Sequence, residues 1–249
     1  MGKISKIVGG ILAFFFTGMI VSAQQVDKQV EEFIKYDQRP TKIAYLTFDD
    51  GPSIYTEKLL KVLKEKEVPA IFFVMGDSID IMNHGRGEML LNKMLEDGHH
   101  IGYHTMTHNR DKLYFMGDSP EFFLREMIAV REKVAALTDG YWSTLCRAPY
   151  GKRTHFKTGH YNTMARSDFY CIDWNIDSMD WAQSSTGAIY SRVLSELANE
   201  KYPDQIVMLF HEKDITADAL PSIIDFVRSK GYTFVPYVEG EIIEVLEKK

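Results

Sequence analysis

Two adjacent carboxylates, Asp49 and Asp50, end the apolar run Ile43–Phe48 and are followed at once by Gly51-Pro52. Hydrophobic patterning makes the run a buried strand, and Gly-Pro is a turn signal that ends it. The acids therefore stand at the C-terminal tip of a strand, where α/β proteins assemble their sites. Like charges side by side repel, so a cation belongs near them, either a metal ion or an arginine. A second group is His104-Thr105-Met106-Thr107-His108. Two histidines four apart share one face of a helical turn and can reach a single ion. The short strand Ile101–Tyr103 leads directly into His104, which puts the pair level with the two acids. Two neutral imidazoles and one carboxylate leave coordination positions open, the pattern of a catalytic rather than a structural metal. Zinc fits best, with cobalt or nickel compatible.

Three further groups are bland when taken singly. Arg147-Ala148-Pro149-Tyr150 follows a strand around Leu145, and an arginine there can grip a carboxylate bidentately. Asp177-Ser178-Met179-Asp180-Trp181 closes the run Phe169–Ile176, and His211 closes the apolar run Ile206–Phe210. Their ordinary readings are a surface arginine, a capped turn and a satisfied core histidine. Together, however, Asp, His, Arg, Asp and His fall at the C-terminal tips of five separate strands. Parallel barrels build their sites in this way. His99, His100, His155 and His160 read as solvated loop histidines rather than ligands of a second ion.

These groups need a scaffold to hold them. The strands Ile43–Phe48, Ala70–Val74, Ile101–Tyr103, one around Leu145, Phe169–Ile176, Ile206–Phe210 and Thr233–Val235 alternate with helical stretches. The helices run over Thr56–Lys66, Glu88–Asp97 with Gly98 as C-cap, Ser119-Pro120 to Leu137, Gly187–Glu200, and Ala217–Lys230 closed by Gly231. Alternation of this kind implies βα units and a mainly parallel sheet. The predicted fold class is α/β, a distorted, incomplete (β/α) barrel of about seven parallel strands, with a doubly wound open sheet as the alternative. No glycine-rich phosphate loop follows the first strand, which argues against nucleotide binding.

The start of the chain reads as an export signal over residues 1–23. Lys3 and Lys6 precede an almost wholly apolar stretch, Ile7–Val21, and Val21-Ser22-Ala23 supplies a small-residue cleavage site. The stretch is shorter than the roughly 20 residues that span a bilayer, so no stable membrane association is expected after cleavage. Residues 24–41 form an N-terminal extension and 42–249 a single domain. Loss of the two signal lysines takes the net charge from −6 to −8. An acidic exported chain is a poor partner for nucleic acid or an anionic membrane. Cys146 and Cys171, read as lying on different strands and at different heights, are expected roughly 20 Å apart at about 3.3 Å per residue. Such a gap excludes a disulfide and leaves two buried thiols.

The five groups, in this order, closely resemble the motifs of the polysaccharide deacetylase family, also called the NodB-homology domain or carbohydrate esterase family 4. The likeness covers about residues 42–237, and Pro69–Val74 is similar to the family's second strand. The resemblance implies metal-dependent removal of acetyl groups from N- or O-acetylated sugars. It implies Asp50, His104 and His108 as metal ligands, Asp49 as general base and Arg147 as the group that orients it. His211 would be the general acid, tuned by an aspartate of the fourth motif, for which Asp177 is favoured over Asp180. The backbone N–H of Tyr150 would hold the oxyanion. Tyr55 and Trp181 are read as either walls for a sugar ring or core residues. The expected substrate is an acetylated glycan, with N-acetylglucosamine units of peptidoglycan or chitin-like oligomers first. The alternatives are an O-acetyl polysaccharide esterase and a catalytically dead glycan-binding domain.

Overall fold

The computed structural model describes residues 40–198, 204–243 and 245. The predicted signal over 1–23, and the extension except Pro40 and Thr41, lie outside the described residues. The strands are β1 (Ile43–Gly51), β2 (Ala70–Val74), β3 (His100–Tyr103), β4 (Leu145–Cys146), β5 (Tyr170–Cys171), β6 (Ile176–Asp177), β7 (Gln205–His211) and β8 (Thr233–Phe234). The helices are α1 (Thr56–Glu65), α2 (Gly76–Ile81), α3 (Arg86–Glu96), α4 (Arg110–Tyr114), α5 (Ser119–Leu137), α6 (Lys152–His155), α7 (Thr158–Ala165), α8 (Thr186–Leu197) and α9 (Asp214–Ser229). Four of them, α2, α4, α6 and α7, were not expected from the sequence. Their 4 to 8 residues are too few to show a helical period.

Seven parallel strands run in the order β5-β4-β3-β2-β1-β7-β6, with β8 added against β1. The sheet curls into the predicted incomplete barrel. Its strands read as unbroken apolar runs because both faces are buried. Ala44, Leu46 and Phe48 pack outward against the helices with Leu59, Leu63 and Ile223. Tyr45, Ile71, Phe73, Leu145 and Val207 pack inward. A period of two then carries Thr47 and Asp49, Arg147, and His211 onto the inner face at the strand tips.

The predicted strand Phe169–Ile176 is a correction. It divides into β5 and β6, which lie at opposite edges of the sheet. Residues 172–175 cross between the edges because their polar groups bond elsewhere. Asp173 accepts from the backbone N–H of Lys152 and Arg153, while Asn175 accepts from Val207 N–H and donates to Gln205 C=O. The height argument for the cysteines falls with that strand. Cys146 and Cys171 are direct register partners on β4 and β5, both free and buried, and not roughly 20 Å apart.

Candidate active site

Every tip that the sequence singled out opens on one end of the barrel. Asp49 on β1 pairs in register with His211 on β7, and Phe73 of β2 follows beside it. Arg147, just past β4, is fully buried. Its Nη1 donates to Asp49 Oδ1 at 2.8 Å and to Thr47 Oγ1 at 2.6 Å, and its Nη2 donates to Asp173 C=O at 3.3 Å. The guanidinium also lies over the Phe73 ring, 4.2 Å from its centroid. It is therefore no surface arginine. Burial raises the Asp49 pKa above the ordinary carboxylate value, and Arg147, His211 and His108 pull against it without prevailing. With Oδ1 occupied, Asp49 presents Oδ2 to the cavity, 3.7 Å from His104 Nε2.

Asp50 turns the other way, as its φ of 70° requires. Its Oδ1 is buried with no hydrogen-bond partner, 3.4 Å from His104 Nε2 and 3.6 Å from His108 Nε2. One ligand atom from each of the three residues lies within 4.8 Å of the others. A tetrahedral ion with ligands at about 2.0–2.2 Å holds its donor atoms roughly 3.3–3.6 Å apart. The protonation state also fits. His104 Nδ1 is 2.8 Å from Arg147 C=O, which can only accept, so Nδ1 carries the hydrogen and Nε2 keeps its lone pair. Burial, opposed in part by Asp50, pushes the His104 pKa down to about 3, so the ring is neutral. These residues suit a divalent metal. The expected helical turn is not what aligns them, since residues 104–108 form an irregular loop. Left-handed backbone at Thr105 (φ 69°) and His108 (φ 55°) brings the second ring back toward the first, with centroids 5.2 Å apart.

On the far side of Asp50, His211 points Nε2 toward Oδ2 at 3.9 Å. The expectation that Asp177 holds this ring is corrected: the carboxylate is Asp180. Oδ1 of the fully buried Asp180 is 2.7 Å from His211 Nδ1, and Oδ2 accepts from His211 N–H and Thr216 Oγ1, each at 2.7 Å. Asp177 Oδ1 instead accepts from Met179 N–H, closing a turn that Met179 (φ 54°) reverses so that Asp180 comes under β7. Burial by itself would lower the His211 pKa. The Asp180 bond and charge, aided by Asp49 and Asp50, raise it to about 9. Burial likewise opposes the charge on Asp180, but its bonds to His211 win and lower its pKa.

Tyr150 has a φ of 63°, and its N–H donates to no acceptor among the described residues. Asp50, Thr105, His108, Tyr150 and Met179 thus all hold left-handed backbone in the loops around one cavity, at about 1–2 kcal/mol each. Three histidines are not the solvated residues expected. His99 is buried and accepts from Ala70 N–H, His160 is buried against Leu113 C=O, and His100 lies in β3 beside Ser143. Trp181 is 57% exposed and Tyr55 half-buried, so neither is a core residue. Glu212 escaped the sequence reading. It is buried beneath the β1 turn, bonded to Ser53 N–H and Thr56 Oγ1, and burial raises its pKa to about 7. An acid directly after the tip residue His211 was the available signal.

A carboxylate with one free oxygen, a three-donor metal pocket and a charged imidazole therefore surround one small volume. Such an arrangement can deprotonate a water, stabilise an oxyanion and protonate a leaving group.

The profile of a family described as polysaccharide deacetylase matches residues 36–164. A peptidoglycan-N-acetylglucosamine deacetylase of Bacillus cereus is 31% identical over 208 residues, 82% of this chain and 72% of that protein. A Listeria monocytogenes protein of the same description is 31% identical, but the chain spans only 39% of its length. The crystal structure of a polysaccharide deacetylase from Bacillus cereus superposes with a TM-score of 0.72 at 32% identity, covering 82% of this chain and 96% of that one. The catalytic domain of a peptidoglycan N-acetylglucosamine deacetylase from Eubacterium rectale gives 0.67 at 27% identity, covering 82% and 94%.

Proposed function

This chain belongs to the polysaccharide deacetylase family, and we propose that it hydrolyses the acetamide of N-acetylglucosamine units in a polysaccharide with a divalent metal at Asp50, His104 and His108. The observation that carries this reading is the buried, unpartnered Asp50 Oδ1 between two imidazole nitrogens, with Asp49 and a charged His211 on either side. A bound zinc, or cobalt or nickel, supplies Lewis-acid polarisation of a carbonyl and acidification of water at that point. Asp49, held by Arg147, takes the proton of the attacking water on Oδ2. Burial, which makes Asp49 more basic than an ordinary aspartate, suits it to that task. The unengaged N–H of Tyr150 donates to the developing oxyanion. His211 stays charged at neutral pH because of Asp180, and its Nε2 proton goes to the departing sugar nitrogen. Asp49 and His211 thus divide the base and acid roles.

Among the described residues no helix is long and apolar enough to cross a membrane. The apolar segment before Ala23, read as an export signal, is what supports a periplasmic or secreted enzyme. The test is acetate release from a panel of N- and O-acetylated glycans, before and after chelation and with zinc, cobalt or nickel restored. Activity that survives complete metal removal refutes the role of Asp50, His104 and His108. An ester needs less help at its leaving group than an amide. His211→Ala therefore costs more on N-acetyl than on O-acetyl substrates, and equal losses count against its role as acid.

A further inference from the structure

Next to His108 lies a group of side chains that the reaction above does not use. Arg110, the first residue of α4, lays its guanidinium over two exposed rings, 5.3 Å from the centroid of Phe115 and 5.7 Å from that of Tyr150. Lys157, between α6 and α7, holds its ammonium 5.5 Å from the centroid of Phe115. The Tyr150 ring is in turn 4.5 Å from the His108 ring, so the platform begins at a metal-ligand candidate and runs outward. His155 Nε2 lies 3.4 Å from Arg110 Nε and 3.3 Å from Nη2, bracing the guanidinium from below.

Two independent features indicate that this platform meets a ligand. Acids outnumber bases 35 to 29 in the chain, and surface cations such as Lys58, Lys66, Arg86 and Lys133 take carboxylate partners. Arg110 and Lys157 take none among the described residues, as is also true of Lys112, Lys213 and Lys230, but these two converge on one exposed ring beside the cavity. Asp111 shares the α4 turn with Arg110 but makes no ion pair with it. The second feature is apolar. Phe115 is 55% exposed and Tyr150 45%, beside a catalytic cavity where large rings would otherwise be covered. An arginine stacked on aromatic faces is held in place with its outer N–H groups free, the geometry that grips a carboxylate. The rings offer an apolar face to the body of a sugar.

We propose that Arg110, Lys157, Phe115 and Tyr150 form a subsite for a carboxylate-bearing sugar next to the acetylated residue. The substrate class is then an anionic acetylated glycan rather than a neutral oligomer. This rests on the deacetylase reading above and narrows its substrate. The acidic chain carries a local positive mouth, which steers and orders a negatively charged polymer despite the overall charge.

The test compares kcat/KM of the zinc-loaded chain on a peptidoglycan oligomer bearing lactyl carboxylates and on the same oligomer with those carboxylates converted to neutral amides. At low ionic strength the carboxylate form is expected to be favoured about tenfold, an advantage that shrinks as salt screens the pair. Arg110→Gln brings that ratio close to one, chiefly through KM, while Arg110→Lys keeps part of it. Lys157→Gln lowers it by a smaller factor. Equal kcat/KM of the wild type on the two forms overturns the subsite, as does an unchanged ratio in Arg110→Gln, and both leave the deacetylase reading standing. Release of no acetate from either oligomer overturns the deacetylase reading itself, and the subsite with it.

Discussion

Replacing Asp180 with Asn removes one charge from beneath His211 while keeping the shape of the side chain. With the carboxylate in place His211 titrates near 9, against an ordinary value of 6.5. Burial is the largest influence on this ring and acts downward, and the Asp180 bond and charge are the largest opposing ones. Without them the ring titrates at or below about 6.5, since the more distant Asp49 and Asp50 are left to offset burial alone. At a pH of about 7.5 the charged fraction then falls from about 97% to at most about 9%. Population alone lowers the rate of a step that needs the imidazolium about tenfold, or about 1.4 kcal/mol. The loss has a sign in pH. It deepens toward alkaline pH, where the variant has no proton to give, and shrinks below about pH 5.5, where both rings are charged. The assay is kcat/KM for acetate release from about pH 5 to 10. The alkaline limb near 9 in the wild type is expected to move to 6.5 or lower in Asp180→Asn. Asp177→Asn, whose carboxylate accepts only from Met179 N–H among the described residues, leaves the limb near 9. Coincident limbs for Asp180→Asn and the wild type refute the assignment.

Arg147→Met strands Asp49 in the barrel without its bonded cation, and loss of one partner from a buried pair costs about 3–5 kcal/mol. Thermal melts should show that loss, together with an acidic limb of kcat/KM displaced upward because burial of Asp49 is then opposed only by His211 and His108. His99, His100 and His104 have pKa values lowered by burial to about 4, 4 and 3. The unfolded chain binds protons on them first, and the raised carboxyls of Glu212 and Asp49 offset only part of this, so metal-free protein is destabilised as pH falls through 6.5 toward 4. Each histidine contributes up to about 1.4 kcal/mol per pH unit in that window, and a flat Tm across it would count against the burial argument. Gly51→Ala would place a methyl 1.8 Å from Glu212 Oε1, so a loss of about 1–3 kcal/mol is expected in denaturant unfolding. Combining it with Glu212→Ser should recover at least about 1 kcal/mol, and strict additivity would show that the two residues do not clash.

The sequence by itself located the barrel and nearly all of its tip residues. Apolar runs that stop at Asp49, His104 and His211 mark strand ends through local chemistry alone, because burial on both faces and a following turn leave a signature within ten residues. The same signature exposed His104 and His108 with one carboxylate of the Asp49–Asp50 pair as a donor set, and the family resemblance singled out Asp50. What it could not supply were relations between distant segments. Two-residue strands such as β5 and β6 carry no period, so the break at residues 172–175 was invisible. With it went the adjacency of Cys146 and Cys171. Sequence favours Asp177 over Asp180 as the partner of His211, and does so wrongly because both lie in one short motif with nothing local to separate them. Their separation depends on the left-handed turn at Met179 and on Thr216 arriving from α9. Left-handed backbone at Asp50, Thr105, His108 and Tyr150 likewise aims the site, though none of those residue types announces it. Hydrophobic period and turn chemistry are properties of neighbours along the chain, and they determined which residues reach the rim. How far the sheet curls, and which loop then folds over which tip, depends on packing across the whole barrel. The tertiary structure brings Asp49 onto Arg147 and Asp50 beside the two histidines, as the family resemblance implies, and it alone decided that His211 belongs to Asp180.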